Sequence, residues 1–263
     1  MHYVKLKRAK DDTCNICRRQ APLSWDHVPP KGGIQLSAVQ IRSVFSVLTG
    51  ESQKFKSSYS QNGLKYRTIC KSCNETIGHK YDVTLNEFAL SVGNYLSTSL
   101  SLPPIIHHPT RPTALVRSVL AHILAAKVTN DGAYFDRDIA PTILDENIPI
   151  PQDLHVFYWL FPFEATVLIR DFVISYVALG SKEVISCQLL KYFPVAYLIT
   201  NASRFQDLDE LTTYRNAPIT EEISIPIRLS PVRPSVWPEG QDNGKIMLGG
   251  QAMLDSPFVL PKS

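Results

Sequence analysis

Cys14-Asn15-Ile16-Cys17, Trp25-Asp26-His27-Val28 and Cys70-Lys71-Ser72-Cys73-Asn74 are the stretches that decide how this chain folds. A C-x2-C pair puts two sulfurs on one side of a tight turn. Two such pairs supply the four thiolates of one tetrahedral zinc site. Residues 18–69 separate the pairs, more than a compact zinc ribbon holds, so an insertion sits between the two knuckles. The alternative use of these cysteines, as disulfides in a secreted protein, fits less well. The start Met1-His2-Tyr3-Val4-Lys5-Leu6-Lys7-Arg8 is polar and basic, with no apolar signal core behind it. No uncharged apolar run is long enough to span a bilayer, since His155–Gly180 is broken by Glu164, Arg170 and Asp171. A cytoplasmic protein without a membrane segment is expected. Cys187, in an apolar run, reads as a small buried side chain.

Working outward, charge divides the chain. Residues 1–82 carry 14 Lys/Arg against 6 Asp/Glu, while the remainder carries 13 against 18. A basic third on a mildly acidic body points to a polyanion meeting the N-terminal part, and argues against the rest being a broad DNA clamp. From Asp82 onward Leu85, Phe88, Ala89, Val92, Tyr95 and Leu96 recur at helical spacing, and Pro103-Pro104 ends that helix. A second helix is predicted over Pro112–Val128, stopped by Asn130-Asp131-Gly132. Runs rich in Val, Ile, Tyr and Phe predict strands at His155–Phe163, Ala165–Val177, Val184–Tyr192 and Val195–Thr200, with Gly180 among the punctuating turns. Ile223–Ile227 reads as an edge strand because Pro226 cannot donate to a ladder. Residues 230–263 read as an irregular, proline-rich tail wrapping the body, and Gln40–Leu48 as a short helix. The expected class is α+β: a knuckle-built module over residues 1–100, then helices and a mainly antiparallel β-rich domain over 101–263.

The tetrapeptide between the knuckles is where chemistry is expected. Val28-Pro29-Pro30 and Lys31-Gly32-Gly33 follow Asp26-His27, so a strand should end at His27 with its imidazole held at the strand terminus. Phosphodiester hydrolysis needs a base working near neutral pH and a divalent cation to offset developing charge. His27 suits the first task. Asp26 and Asn74 offer oxygen ligands for a hard ion such as Mg²⁺.

These residues, Cys14-Asn15-Ile16-Cys17, Asp26-His27-Val28-Pro29-Pro30 and Cys70-Lys71-Ser72-Cys73-Asn74, with Gly78 and Asp82 beyond, resemble the HNH endonucleases. Those are the zinc-knuckle branch of the His-Me finger, or ββα-metal, nucleases. The resemblance covers about residues 10–85. It implies an N-terminal ββα-metal module with Cys14, Cys17, Cys70 and Cys73 on a structural zinc. It also implies His27 as general base, and Asp26 and Asn74 as ligands of the catalytic divalent ion. DNA is the implied substrate, cut on one strand or both, in a bacterial or phage setting such as restriction, anti-phage defence or a mobile element. The chain departs from the family at Lys65, where a bracing Asn is usual; Asn62, in Gln61-Asn62-Gly63, takes that role here, though the dipeptide equally suits a plain turn. Lys31, Lys54, Lys56, Lys65, Arg67 and Lys71 are candidate phosphate contacts, with Phe55 or Tyr59 able to stack on a base. His79, His107, His108, His122 and His155 read as surface or structural histidines, with His107-His108 in a loop before Pro109. Two other functions fit the same residues: a non-catalytic zinc-ribbon module that binds nucleic acid, and an RNase or toxin on the same fold. The C-terminal part carries no recognised motif and is left for target recognition, regulation, dimerisation or docking of a partner protein.

Overall fold

The computed structural model describes residues 2–33, 37–51, 54–129, 134–175, 184–203, 205, 207–240, 246–247 and 253–262. The N-terminal third opens with β1 (Asp11–Thr13) and β2 (Gln20–His27), joined by the first cysteine turn. Arg18 closes that turn at φ 59°, in the left-handed region, and its amide donates to the Cys14 carbonyl at 3.1 Å. β3 (Val39–Ser43), α1 (Val44–Thr49) and β4 (Ser58–Ser60) form the insertion. β5 (Lys65–Cys70) then runs into α2 (Lys71–Ile77). A π-helical stretch, Gly78–Asp82, joins α2 to α3 (Val83–Ser97), which buries Leu85, Phe88, Ala89 and Val92 on one face. β1, β2 and β5 pair antiparallel in that order, with a bulge at Ser24/Trp25. On the outer edge of β5, Arg67 bonds to Leu6 and Arg8, so residues 6–8 extend this small sheet in parallel.

Beyond residue 100 come β6 (Ile105–Thr110), α4 (Pro112–Ala125), α5 (Tyr134–Leu144), β7 (His155–Leu160), β8 (Thr166–Ser175), β9 (Val184–Tyr192) and β10 (Val195–Thr200). These are followed by β11 (Asp209–Glu210), β12 (Ile223–Arg228), β13 (Ile246–Met247) and β14 (Pro257–Pro261). The large sheet has the order β11-β7-β10-β9-β8-β14-β3-β4, with β13 also on β8, and its pairings are antiparallel. Every residue of β10 is buried, because both faces of the sheet are covered. Leu190 and Tyr192 face a core shared with α3 and α4, while Cys187 and Leu189 face a second cluster with Phe157, Phe172 and Phe205. α4 is buried all round, packed between β5 and β9. Pro112 opens it at a position where the missing N–H costs nothing. The first core runs from Val4 to Val259, so residues from the N-terminal third and from the rest share it.

Helices and antiparallel sheets together fit the α+β expectation. The helices from Asp82 and Pro112 and the strands at 184–192 and 195–200 lie where the patterns put them. Asn130–Gly132, Gly180 and the last two residues of the Ala165–Val177 run lie outside the described residues. Three expectations need correction. Gln40–Leu48 is half strand, because Val39, Ile41 and Ser43 are buried alternately before α1 begins. His107-His108 is not a loop but part of β6, paired with β12. The tail is not irregular throughout, since β14 fills the slot between β8 and β3. Among the described residues no helix is long and apolar enough to cross a membrane.

Candidate metal centre and active site

The four knuckle cysteines converge. Their sulfurs lie within 4.8 Å of one another, with Cys14, Cys70 and Cys73 buried and Cys17 partly so. Cys14 and Cys17 come from the β1–β2 turn, Cys70 ends β5, and Cys73 sits in the first turn of α2. The Sγ atoms of Cys17 and Cys70 are 3.8 Å apart. Zn–S bonds of about 2.3 Å give a tetrahedral edge of roughly 3.8 Å, so the cluster has the dimensions and the soft donors that zinc takes. Four thiols this close cannot all ionise without a cation. A hydrogen bond from Cys73 draws Cys14 down to about 4, while that same contact and burial push Cys73 up. A bound cation would resolve that conflict.

The knuckle is fastened to the end of α4. Asn15 is 5% exposed, and its Nδ2 donates to the carbonyls of Leu124 at 2.7 Å and Lys127 at 2.8 Å. Its Oδ1 accepts from Arg8 at 2.7 Å. The Thr68 hydroxyl donates to the Ala125 carbonyl, and the Arg170 guanidinium to that of Ile123. The last carbonyls of a helix have no partner within it, and here side chains from three strands or turns supply them.

His27 ends β2, as expected. The backbone of Asn62 lies beside its ring and favours the protonated form. Nε2 is covered and has no hydrogen-bond partner among the described residues. Burial, then Lys65, hold His27 below its ordinary value against the opposing pull of Asp26. Near pH 7 the ring is therefore held toward its neutral form. Asn62 thus acts on the ring through its main chain. Lys31, exposed on a short 3-10 turn after the strand, adds to the positive field at His27.

Asp26 lies on the opposite face of β2 from His27 and is 7% exposed. Its Oδ2 has no hydrogen bond and lies 3.3 Å from Nδ1 of His122. Nε2 of His122 lies 3.0 Å from Asp82, which also accepts from Ser118 at 2.7 Å. Burial works against a charged His122, but Asp82 and Asp26 outweigh it and raise the ring to about 10. Burial pushes Asp82 up as well, and His122 more than reverses it. Asn74, on α2, donates through Nδ2 to the Trp25 carbonyl at 3.0 Å and to Ser24 Oγ at 3.2 Å, leaving Oδ1 as the atom able to ligate a cation. Asn74 Oδ1 is a hard oxygen donor of the type Mg²⁺ takes, whereas Asp26 Oδ2 is turned to His122.

The basic candidates fall into two groups. Lys65 and Arg67 lie on β5 directly across from His27 and Trp25. Lys71 pairs with Glu75 and Lys54 with Glu51, at 3.6 and 3.0 Å, and Lys56 lies over the Tyr3 ring. Phe55 packs between His2 and Phe45, whereas Tyr59 is exposed under Lys262. His79 is exposed, and His155 bonds to Glu210. His122 has the largest consequence of the residues read as plain structure, because it reaches Asp26. No spacing in the sequence links positions 26 and 122. Trp25 could have been picked out, since it stands two residues before His27 and so shares its face.

A scan against protein-family models and searches of curated proteins and of solved structures return no match.

Proposed function

We propose that this chain is a metal-dependent endonuclease of the HNH type, acting on DNA, with zinc in the cysteine cluster as scaffold. The observation that carries this is His27: an imidazole at a strand end, held toward its neutral form by burial and Lys65, with the Asn62 backbone beside the ring. The strand–strand–helix order of β2, β5 and α2 around it, entered and left through the cysteine pairs, is what the resemblance calls for. The neutral ring would take the proton of an attacking water, and the Asn62 backbone would favour the imidazolium that forms. Asn74, tied to β2, would fix the helix against the strand bearing the base. Asn74 Oδ1 and the Asp26 carboxylate oxygen not facing His122 would hold a divalent ion, which supplies electrostatic relief for charge building on the phosphodiester. Lys65 and Arg67 would hold the phosphate backbone.

A second reading has its own observation. Asp26 faces inward to His122 rather than sharing the face of His27. That suits a zinc-stabilised module that binds nucleic acid without cutting it.

Supercoiled plasmid, incubated with wild type and His27→Ala with and without added Mg²⁺, tests both. Nicked or linear product is expected only with wild type and metal, and His27→Ala should slow cleavage by about 10²- to 10⁴-fold. Full activity in His27→Ala, or cleavage that ignores the divalent ion, would refute the nuclease mechanism. Binding with no cleavage under any divalent ion would favour the second reading. A matched RNA substrate, run in parallel, separates a DNase from an RNase.

A further inference from the structure

Side chains alternate across a strand, and cross-strand partners share a face. In β2 and β5 Trp25 is opposite Arg67 and His27 is opposite Lys65. Those four side chains therefore form one square on the open face of the small sheet. Asp26 and Tyr66, between them in sequence, are buried on the other face. Lys7 bridges to Arg67 from the opposite edge of β5, which sets it in the same row as Arg67 and Trp25.

Trp25 is 46% exposed. The Arg67 guanidinium lies 5.4 Å from its ring centroid and the Lys65 ammonium 5.9 Å. Arg67 is oriented by a bond to the Arg8 carbonyl at 2.8 Å. The nearby carboxylates are engaged elsewhere, Asp12 with Arg8 and Glu75 with Lys71. Among the described residues no carboxylate forms an ion pair with Lys7, Lys65 or Arg67. A large exposed π surface, set among cations without counter-charges and beside His27, has the chemistry of a single-strand binding platform: one ring for a base, cations for flanking phosphates. The interior of a duplex offers no base face to such a ring.

We propose that Trp25 is a stacking platform for an unpaired nucleobase, with Lys65, Arg67 and Lys7 on the adjoining phosphates. The site would then take single-stranded or locally unpaired nucleic acid in preference to intact duplex. This rests on the nucleic-acid reading above and narrows its substrate class.

Trp25 also supplies the probe. Of the three tryptophans, Trp159 is 9% exposed and Trp237 is partly buried against it, which leaves Trp25 as the most exposed. Full-length, zinc-loaded protein without added Mg²⁺ would be titrated with oligothymidylate and, separately, with its duplex with oligoadenylate. Oligothymidylate should quench the fluorescence, and Trp25→Phe should abolish the quench while keeping part of the affinity. Trp25→Ala should weaken single-strand binding roughly tenfold to a hundredfold, the value of one stacked base, and change duplex binding far less. Circular dichroism and zinc content of each variant confirm that the fold is retained. No quench by oligothymidylate, or equal effects of Trp25→Ala on single strand and duplex, would overturn the proposal. Plasmid cleavage that needs His27 but shows no such quench sinks the platform and leaves the nuclease intact. Quenching without cleavage does the reverse.

Discussion

Replacing Asn15 with alanine would remove three hydrogen bonds in one step, at the point where the zinc knuckle meets the end of α4. Two belong to the carbonyls of Leu124 and Lys127, which would be left buried and short of a donor. Each such group costs about 1–3 kcal/mol. The third, from Arg8, is partly replaceable, because that guanidinium also bonds to the carbonyls of Thr13 and Thr68. The expected loss is about 3–5 kcal/mol, a large fraction of a typical folding free energy. Thr68→Val keeps volume and removes one bond, to Ala125, so it should cost only about 1–2 kcal/mol. Urea unfolding of the zinc-loaded proteins measures both, with a lower midpoint and an unchanged slope expected for each variant. Zinc content should stay at the wild-type value, since no cysteine is touched. A loss below about 1 kcal/mol for Asn15→Ala, or Thr68→Val proving the costlier, would show that the knuckle does not cap the helix.

Two further outcomes follow from the same geometry. Metal analysis of purified protein should give one zinc per chain. Cys73→Ser should lower that content and melt well below wild type, because the chain on both sides of the cluster is tied to the metal; full zinc retention in Cys73→Ser would contradict the assignment. His122→Leu should destabilise by about 3–5 kcal/mol, as it leaves the Asp26 and Asp82 carboxylates buried without their shared cation. Adding Asp26→Asn should recover part of that loss, and a double variant weaker than the sum of the single ones would contradict the charge argument.

Strands β9 and β10 were legible in the sequence because unbroken apolar runs leave few other options, and α3 because its apolar residues keep helical spacing. β6 was not, since Ile105–Thr110 carries two histidines and a proline and becomes a strand only through β12, more than a hundred residues later. α5 was hidden by its internal Pro141. Pro257–Pro261, bounded by prolines, gave no sign that two strands would close around it. The cysteine convergence could be read from spacing alone, because ligand spacing is a local property. Asp26 meeting His122 could not, because such pairs form only when the backbone brings distant elements together. Asn62 acts on the imidazole through its backbone, which any residue would provide, and not through its side chain.

The position of β14 bears on how the molecule is assembled. Val259 registers with Ile41, so the insertion that follows His27 is anchored by a segment more than two hundred residues downstream. Closing so long a loop is entropically slow, and a strand that waits for such a partner joins late in folding. A fragment ending near residue 100 would expose one bare edge of β3, with unpaired amides open to a neighbouring chain. The basic third, for all its local motifs, would then be aggregation-prone when expressed alone. During synthesis the segment bordering the histidine face would remain unclosed until residues 257–261 had emerged.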